Sequence, residues 1–103
     1  MNPFGNPQKL MKQLQQAQER MQQEIAALVI EASSGGGMVK VKMDGQKNLL
    51  GIVLDKEAVN PEDVEMLQDL ILAAFNDATR KVDDEVQAKV GALTGGMKIP
   101  GLS

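Results

Sequence analysis

The sequence predicts an α+β domain built as one helix, a three-stranded antiparallel sheet and a long helix. Three observations carry that prediction. Apolar residues recur every three or four positions near both ends of the 103-residue chain. In the middle Val39, Val41 and Met43 alternate with lysines and Leu50, Ile52 and Leu54 keep the same period, and breaks led by glycine or asparagine separate the regimes. Helices flanking a short run of strands is the order of an α+β domain, with the helices on one face of a small sheet.

Asn6-Pro7 reads as an N-cap followed by proline at the first helical position, where its missing N–H costs nothing. Leu10, Leu14, Ala17, Met21, Ile25 and Leu28 then follow at spacings of 4, 3, 4, 4 and 3, one face of an amphipathic helix. Lys9, Lys12, Gln13, Gln16, Glu19, Arg20 and Gln23 hold the other face. Seven glutamines fall between positions 8 and 23 and are good helix formers without charge. This first helix is expected from Pro7 to about Ala27.

From Leu28 to Ser34 the residues suggest a strand, and Gly35-Gly36-Gly37 suggests a turn that needs positive φ or close backbone approach. Val39, Val41 and Met43 alternate with Lys40 and Lys42 in a second strand. Asp44-Gly45 signals a hairpin, and Leu50, Ile52 and Leu54 continue the period in a third strand, with Gly51 as a bulge or close-approach site. Asn60-Pro61-Glu62-Asp63 repeats the helix-start signal. Val64, Leu67, Ile71, Ala74, Ala78, Val82, Val86 and Val90 form the stripe of a long helix from Pro61 to about Leu93. Residues 1–93 are expected as a single domain, and the Gly- and Pro-rich residues 94–103 as a flexible tail.

The lengths conflict. A six-residue strand spans roughly 20 Å, while the helices run about 30 and 50 Å, so their apolar stripes overhang the sheet. Large exposed apolar patches are unusual in monomers, and so small a sheet needs further cover. An obligate homodimer is expected, joined through strand edges or overhanging helix faces.

Composition narrows the chemistry. There is no Cys and no His, which removes disulfides, thiolate nucleophiles, Cys-based zinc sites and the usual general base. Phe4 and Phe75 are the only aromatics, too few to stack single-stranded bases. An enzyme is disfavoured, and no cofactor, metal or small-molecule substrate is expected. The longest apolar runs, Ile25–Ile30 and Leu70–Phe75, have six residues against the ~20 that span a bilayer. No leader is expected from the first residues, and the reading is cytoplasmic.

The net charge is −3 and the pI near 4.8, against indiscriminate phosphate binding. That average divides into +2 over residues 1–54 and −5 over residues 55–103. A polyanion should therefore meet the first half, through Lys9, Lys12 and Arg20 on the first helix and Lys40 and Lys42 on one strand face. The glycine triplet leads into a strand rather than a helix and reads as a hairpin turn, not a phosphate loop. Neither Glu62/Asp63/Glu65 nor Asp83/Asp84/Glu85 converges on one ion if helical. Asn76-Asp77 either bonds to an adjacent turn or meets a ligand.

Two segments carry a resemblance. Ser34 to Gly45, SGGGMVKVKMDG, resembles the strand–turn signature of the YbaB/EbfC family of bacterial nucleoid-associated proteins. Glu65 to Ala78, EMLQDLILAAFNDA, is similar to that family's long-helix signature. The Gln-rich first helix and the GGMKIPG tail match as well. The resemblance implies a tweezer-like homodimer with helices projecting from a central sheet. It further implies double-stranded DNA binding with weak or variable sequence preference, changes in DNA shape, and roles in nucleoid organisation and gene regulation. By position it nominates Lys9, Lys12 and Arg20 with Arg80, Lys81 and Lys89, the second group interrupted by Asp83, Asp84 and Glu85. The alternative is a protein-binding adaptor that engages partners through the apolar stripes of its projecting helices.

Overall fold

The computed structural model describes residues 6–93, so the tail expected over 94–103 lies outside the described residues. Asn6 opens α1 (Pro7–Ala26) by accepting the Gln8 N–H at 2.9 Å, with Pro7 in the first turn. The chain then forms β1 (Val29–Ser34), a 3-10 turn at Gly35–Gly37, β2 (Val39–Asp44), β3 (Leu49–Leu54), a second 3-10 turn at Lys56–Ala58, and α2 (Val64–Leu93). The strands are antiparallel in the order β1-β2-β3.

The start of α2 differs from the sequence reading. Asn60 and Pro61 form a separate turn, in which Asn60 accepts from the Glu62 N–H at 3.0 Å. Asp63, three residues on, caps the helix by accepting from Met66 at 3.2 Å. The bulge is also displaced. Lys42 pairs with Gly51 and Met43 with Leu49, which leaves Leu50, not Gly51, as the extra residue.

Side chains alternate across the sheet as the register requires. Val39, Val41 and Met43 on β2, with Ala32 on β1, point to one face and are buried. α2 lies over β1 and β2 and meets them with Ala74, Ala78 and Val82. The two alanines let the helix backbone approach the sheet closely, while the larger buried side chains each contribute about 1.5–3 kcal/mol. At one flank of α2, Leu70 packs on the Gly35 turn and its carbonyl accepts from Ser34 Oγ at 2.5 Å. Gly35, Gly36 and Gly37 all have positive φ, and a Cβ on Gly35 would stand 2.7 Å from Leu70 Cδ2.

Only one helix covers the sheet, which corrects the expectation that both would. No residue of α1 is buried. It leaves the sheet beside the β2–β3 turn and touches α2 through its second half, where Ala17, Arg20 and Met21 lie near Lys89 and Ala92. The first half stands free. The radius of gyration is accordingly 19.9 Å, where a compact chain of this length has about 13 Å.

The β2–β3 turn sets the direction of that arm. Gly45 rests against the Ile25 carbonyl at the end of α1, and a Cβ there would collide with it. Close approach, not positive φ, is thus what glycine supplies at this position, and the left-handed residue of the turn is Lys47 at φ 66°. Asp44 organises the loop by accepting from Gln46 N at 2.9 Å, Asn48 N at 2.8 Å and Asn48 Nδ2 at 3.1 Å. The Asn48 backbone N–H is the largest influence and, with the other two donors, holds the Asp44 carboxyl below its usual value against a partial loss of hydration.

Two outcomes follow for this turn. Gly45→Ala should lower stability by about 1–3 kcal/mol in denaturant titration. Gly51→Ala, whose Cβ meets open space, should leave it unchanged or slightly raised. Because the folded-state pKa of Asp44 is depressed, its contribution is present above the ordinary carboxylate value and is lost as pH falls through the depressed one. An Asp44→Asn variant should therefore lose stability at neutral pH and converge with the parent as pH falls below the depressed value, as read from denaturant titrations across the acid range.

Candidate nucleic-acid interface

At about 100° per residue, Lys9, Lys12, Gln13, Gln16, Arg20 and Gln23 share one sector of α1 roughly 100° wide. No carboxylate falls within it. Glu19 and Glu24 border the sector on either side, and Glu24 is engaged by Lys89 Nζ at 3.8 Å. The six side chains are exposed and offer ammonium, guanidinium and amide donors along about 21 Å of helix. Lys9, Lys12 and Arg20 make no ion pair among the described residues.

The other nominated cations are placed differently. Arg80 and Lys81 both turn to Asp77, at 3.8 and 3.5 Å, and Lys81 Nζ also donates to the Glu31 carbonyl at 3.3 Å. Lys89 faces α1 rather than solvent alone. Lys42 pairs across the strands with Glu31 at 3.5 Å, as their direct register allows. Lys40, opposite Ser33, makes no ion pair among the described residues. Lys40 and Lys42 line a shallow depression of about 420 Å³ on the sheet face away from α2, together with Glu31, Ser33, Gly51 and Val53. The structure thus brings Lys9, Lys12 and Arg20 together and keeps Lys40 and Lys42 as a separate group.

Sequence reasoning missed Lys47. Its Nζ reaches Asp83 on α2 at 2.8 Å, so one of the three carboxylates Asp83, Asp84 and Glu85 ties the turn to the helix. A non-glycine at positive φ leaves little trace in sequence. Asp77, one member of the unusual Asn76-Asp77 pair, serves the adjacent turn, and Thr79 Oγ1 donates to the Asn76 carbonyl at 2.8 Å. Among the described residues no group of three or more His, Cys, Asp or Glu is placed to hold a metal. No described helix is long and apolar enough to cross a membrane.

Apolar surface is also exposed in quantity. α2 leaves the inner side of β3 open, with Ile52 43% exposed. The Lys47–Asp83 contact shows which flank of α2 faces that side, since Leu70 and Lys81 face β1 on the other. Leu72 and Thr79 lie within about 40° of Asp83 around the helix and Phe75 within about 80°. Leu72 is 57% exposed. β3 and this flank together form an uncovered apolar notch.

Comparison with known proteins places these features. A family model described as the YbaB/EbfC DNA-binding family matches residues 2–97. A nucleoid-associated protein of Pelotomaculum thermopropionicum is 48% identical over 101 residues, covering 95% of this chain and 96% of its own. One from Bacillus licheniformis is 52% identical over 102 residues, covering 96% and 95%. The crystal structure of an uncharacterized protein from Helicobacter pylori superposes with a TM-score of 0.74 at 21% identity, covering 91% of this chain and 99% of that one, and shares the fold.

Proposed function

The chain belongs to the YbaB/EbfC DNA-binding family, and from that premise we propose that it binds double-stranded DNA as a homodimer and alters the conformation of the duplex. The observation that carries this reading is the carboxylate-free stripe on α1. Phosphate contacts need donors that are not already neutralised, and Lys9, Lys12 and Arg20 are the cations on the projecting arm that meet that condition. Lys12 and Arg20 stand about 12 Å apart along the helix axis, close to the width of a major groove. The glutamines between them add amide donors that reach phosphate or sugar without specifying a base. Arg80, Lys81, Lys89, Lys40 and Lys42 are secondary contacts. All but Lys40 must first leave a carboxylate, and that exchange reduces their gain. Selection by DNA shape follows from an interface with so few groups suited to base edges.

The homodimer closes the apolar notch. An exposed apolar edge strand is an association surface, and β3 with the Leu72/Phe75 flank of α2 can meet the same surface on a second copy in an isologous contact. Such a dimer carries two α1 arms. The assembly acts as a binding protein at the nucleoid, within the cytoplasm, with consequences for nucleoid organisation and gene regulation. No group in it is assigned catalysis.

Two measurements test the proposal. In duplex titrations at rising salt, replacing Lys9, Lys12 and Arg20 together by Ala should flatten the log–log salt slope by about three contacts per protomer. Arg80→Ala should weaken binding less, and an unchanged slope in the triple variant would remove α1 from the interface. By light scattering the protein should show twice the 11.1 kDa chain mass. Ile52→Asp should shift it toward monomer while Leu14→Asp, far from the notch, should not.

A further inference from the structure

The free half of α1 carries a second surface that DNA contact leaves unused. Leu10, Leu14, Ala17 and Met21 follow at spacings of four, three and four, the seam of a two-helix contact. α2 shields the lower part of this seam, where Ala17 and Met21 are half-buried beside Lys89 and Ala92. The upper part is open, with Leu14 57% and Met11 61% exposed. Around the helix the seam sits about 120° from the middle of the Lys9–Arg20 stripe, so the two faces are accessible at once.

We propose that this upper seam is a contact between α1 arms of neighbouring dimers, formed when DNA holds them side by side. The inference rests on the DNA-binding reading above. The occupant is a second copy of this chain because the borders of the seam are self-complementary. Between Pro7 and Gln18, every residue within about 90° of the seam centre is uncharged: Pro7, Met11 and Gln18, with Gln13 on the edge shared with the basic stripe, beside the seam residues themselves. A primary amide both donates and accepts, so glutamine pairs with another glutamine in either helix direction. Borders of one charge would repel their own copy, and borders of mixed charge would select a different partner. The seam offers neither obstacle.

Its size determines when the contact forms. Leu10, Met11 and Leu14 from each of two arms bury far less than the roughly 1,200 Å² of a stable interface. The contact is therefore too weak to assemble dimers freely in solution. On a duplex the arms of adjacent dimers sit at effective concentrations in the millimolar range, which converts a weak contact into cooperativity on the order of tenfold. The seam and the β3 notch lie apart on the molecule, since Leu10 is about 24 Å along α1 from its junction with the sheet. Closure of the dimer through β3 leaves the seam available.

The test compares binding to a duplex of roughly 20 base pairs, about as long as the 76 Å molecule, with binding to one about four times longer. The parent protein should bind the long duplex about tenfold more tightly per site. The double variant Leu10→Gln/Leu14→Gln should lose that advantage and keep its affinity for the short duplex, with helix content by circular dichroism unchanged. Since the chain has no cysteine, Leu14→Cys provides a unique thiol, and a short bismaleimide should join α1 arms on the long duplex only. Equal weakening on both duplexes, no loss of the long-duplex advantage, or crosslinking without DNA would each overturn the proposal. Absence of parent binding to either duplex would instead overturn the DNA reading on which it stands.

Discussion

One helix cannot cover three strands. An α-helix with its side chains is about 10 Å across, and strands lie about 4.8 Å apart, so the width of α2 is spent on β1 and β2. Ala74 and Ala78 press it close to Val39, Val41 and Met43 and make that cover complete. The inner side of β3 is left over. α1 does not fill the vacancy, because its last turn is fixed against Gly45 at the end of the sheet and points outward. The uncovered strand and the free arm are thus two results of a single shortage, and both ask for something outside the chain to meet them.

That shortage also arranges the charges. Close to the sheet, cations and carboxylates share a small perimeter and find one another: Lys42 with Glu31, Lys47 with Asp83, Arg80 and Lys81 with Asp77. Each such surface pair is worth at most about 1 kcal/mol, yet together they occupy most of the basic groups around the core. The arm has no such crowd. Its first half faces no neighbouring element among the described residues, and its own carboxylates lie outside the basic sector. Release from packing leaves Lys9 and Lys12 without partners among the described residues, while Arg20, beside α2, meets a cation there, Lys89, rather than a carboxylate of its own to pair with. A helix with a conventional place on the sheet would have lost either the stripe or the freedom to present it.

Features set by neighbours along the chain are legible in the amino-acid order itself. Asn6 caps a helix and Pro7 begins it because both act on the first turn alone. The alternation of Val39, Lys40, Val41, Lys42 and Met43 specifies a half-buried strand, and the glycine triplet its positive-φ turn. Features set across the chain are not legible in that way. Whether Asn60 or Asp63 starts α2 depends on which side chain reaches a free N–H, and both are good candidates in sequence. The bulge falls on Leu50 beside the expected Gly51, since pairing with β2 decides where the extra residue goes. Most of all, the sequence displays cations without their partners. Arg80 and Lys81 resemble Lys9 and Lys12 until Asp77 is seen to hold them. The candidate stripe is visible as residue types, and its availability is a tertiary property.

The same geometry removes the apparent conflict between an acidic chain and a polyanionic partner. β3 ends beside the Gly35 turn, since Leu54 pairs with Val39, and α2 begins at that end, where Leu70 packs on Gly35. Asp55, Glu57, Glu62, Asp63, Glu65 and Asp69 all gather there. α1 leaves from the opposite end, beside Gly45, and carries its basic stripe outward for a further 20 residues. The first turn of α1 is therefore separated from the acidic end by the length of a strand and most of a helix, about 50 Å. At physiological ionic strength charges are screened within about 8 Å, so DNA on the arm does not feel those carboxylates. What it meets is local: Lys9, Lys12 and Arg20, which make no ion pair among the described residues, and the bordering Glu19 and Glu24, the latter engaged by Lys89. The negative net charge therefore describes the end of the molecule that stays away from DNA. The interface strength is set by how few cations the arm holds, not by the overall sign of the chain.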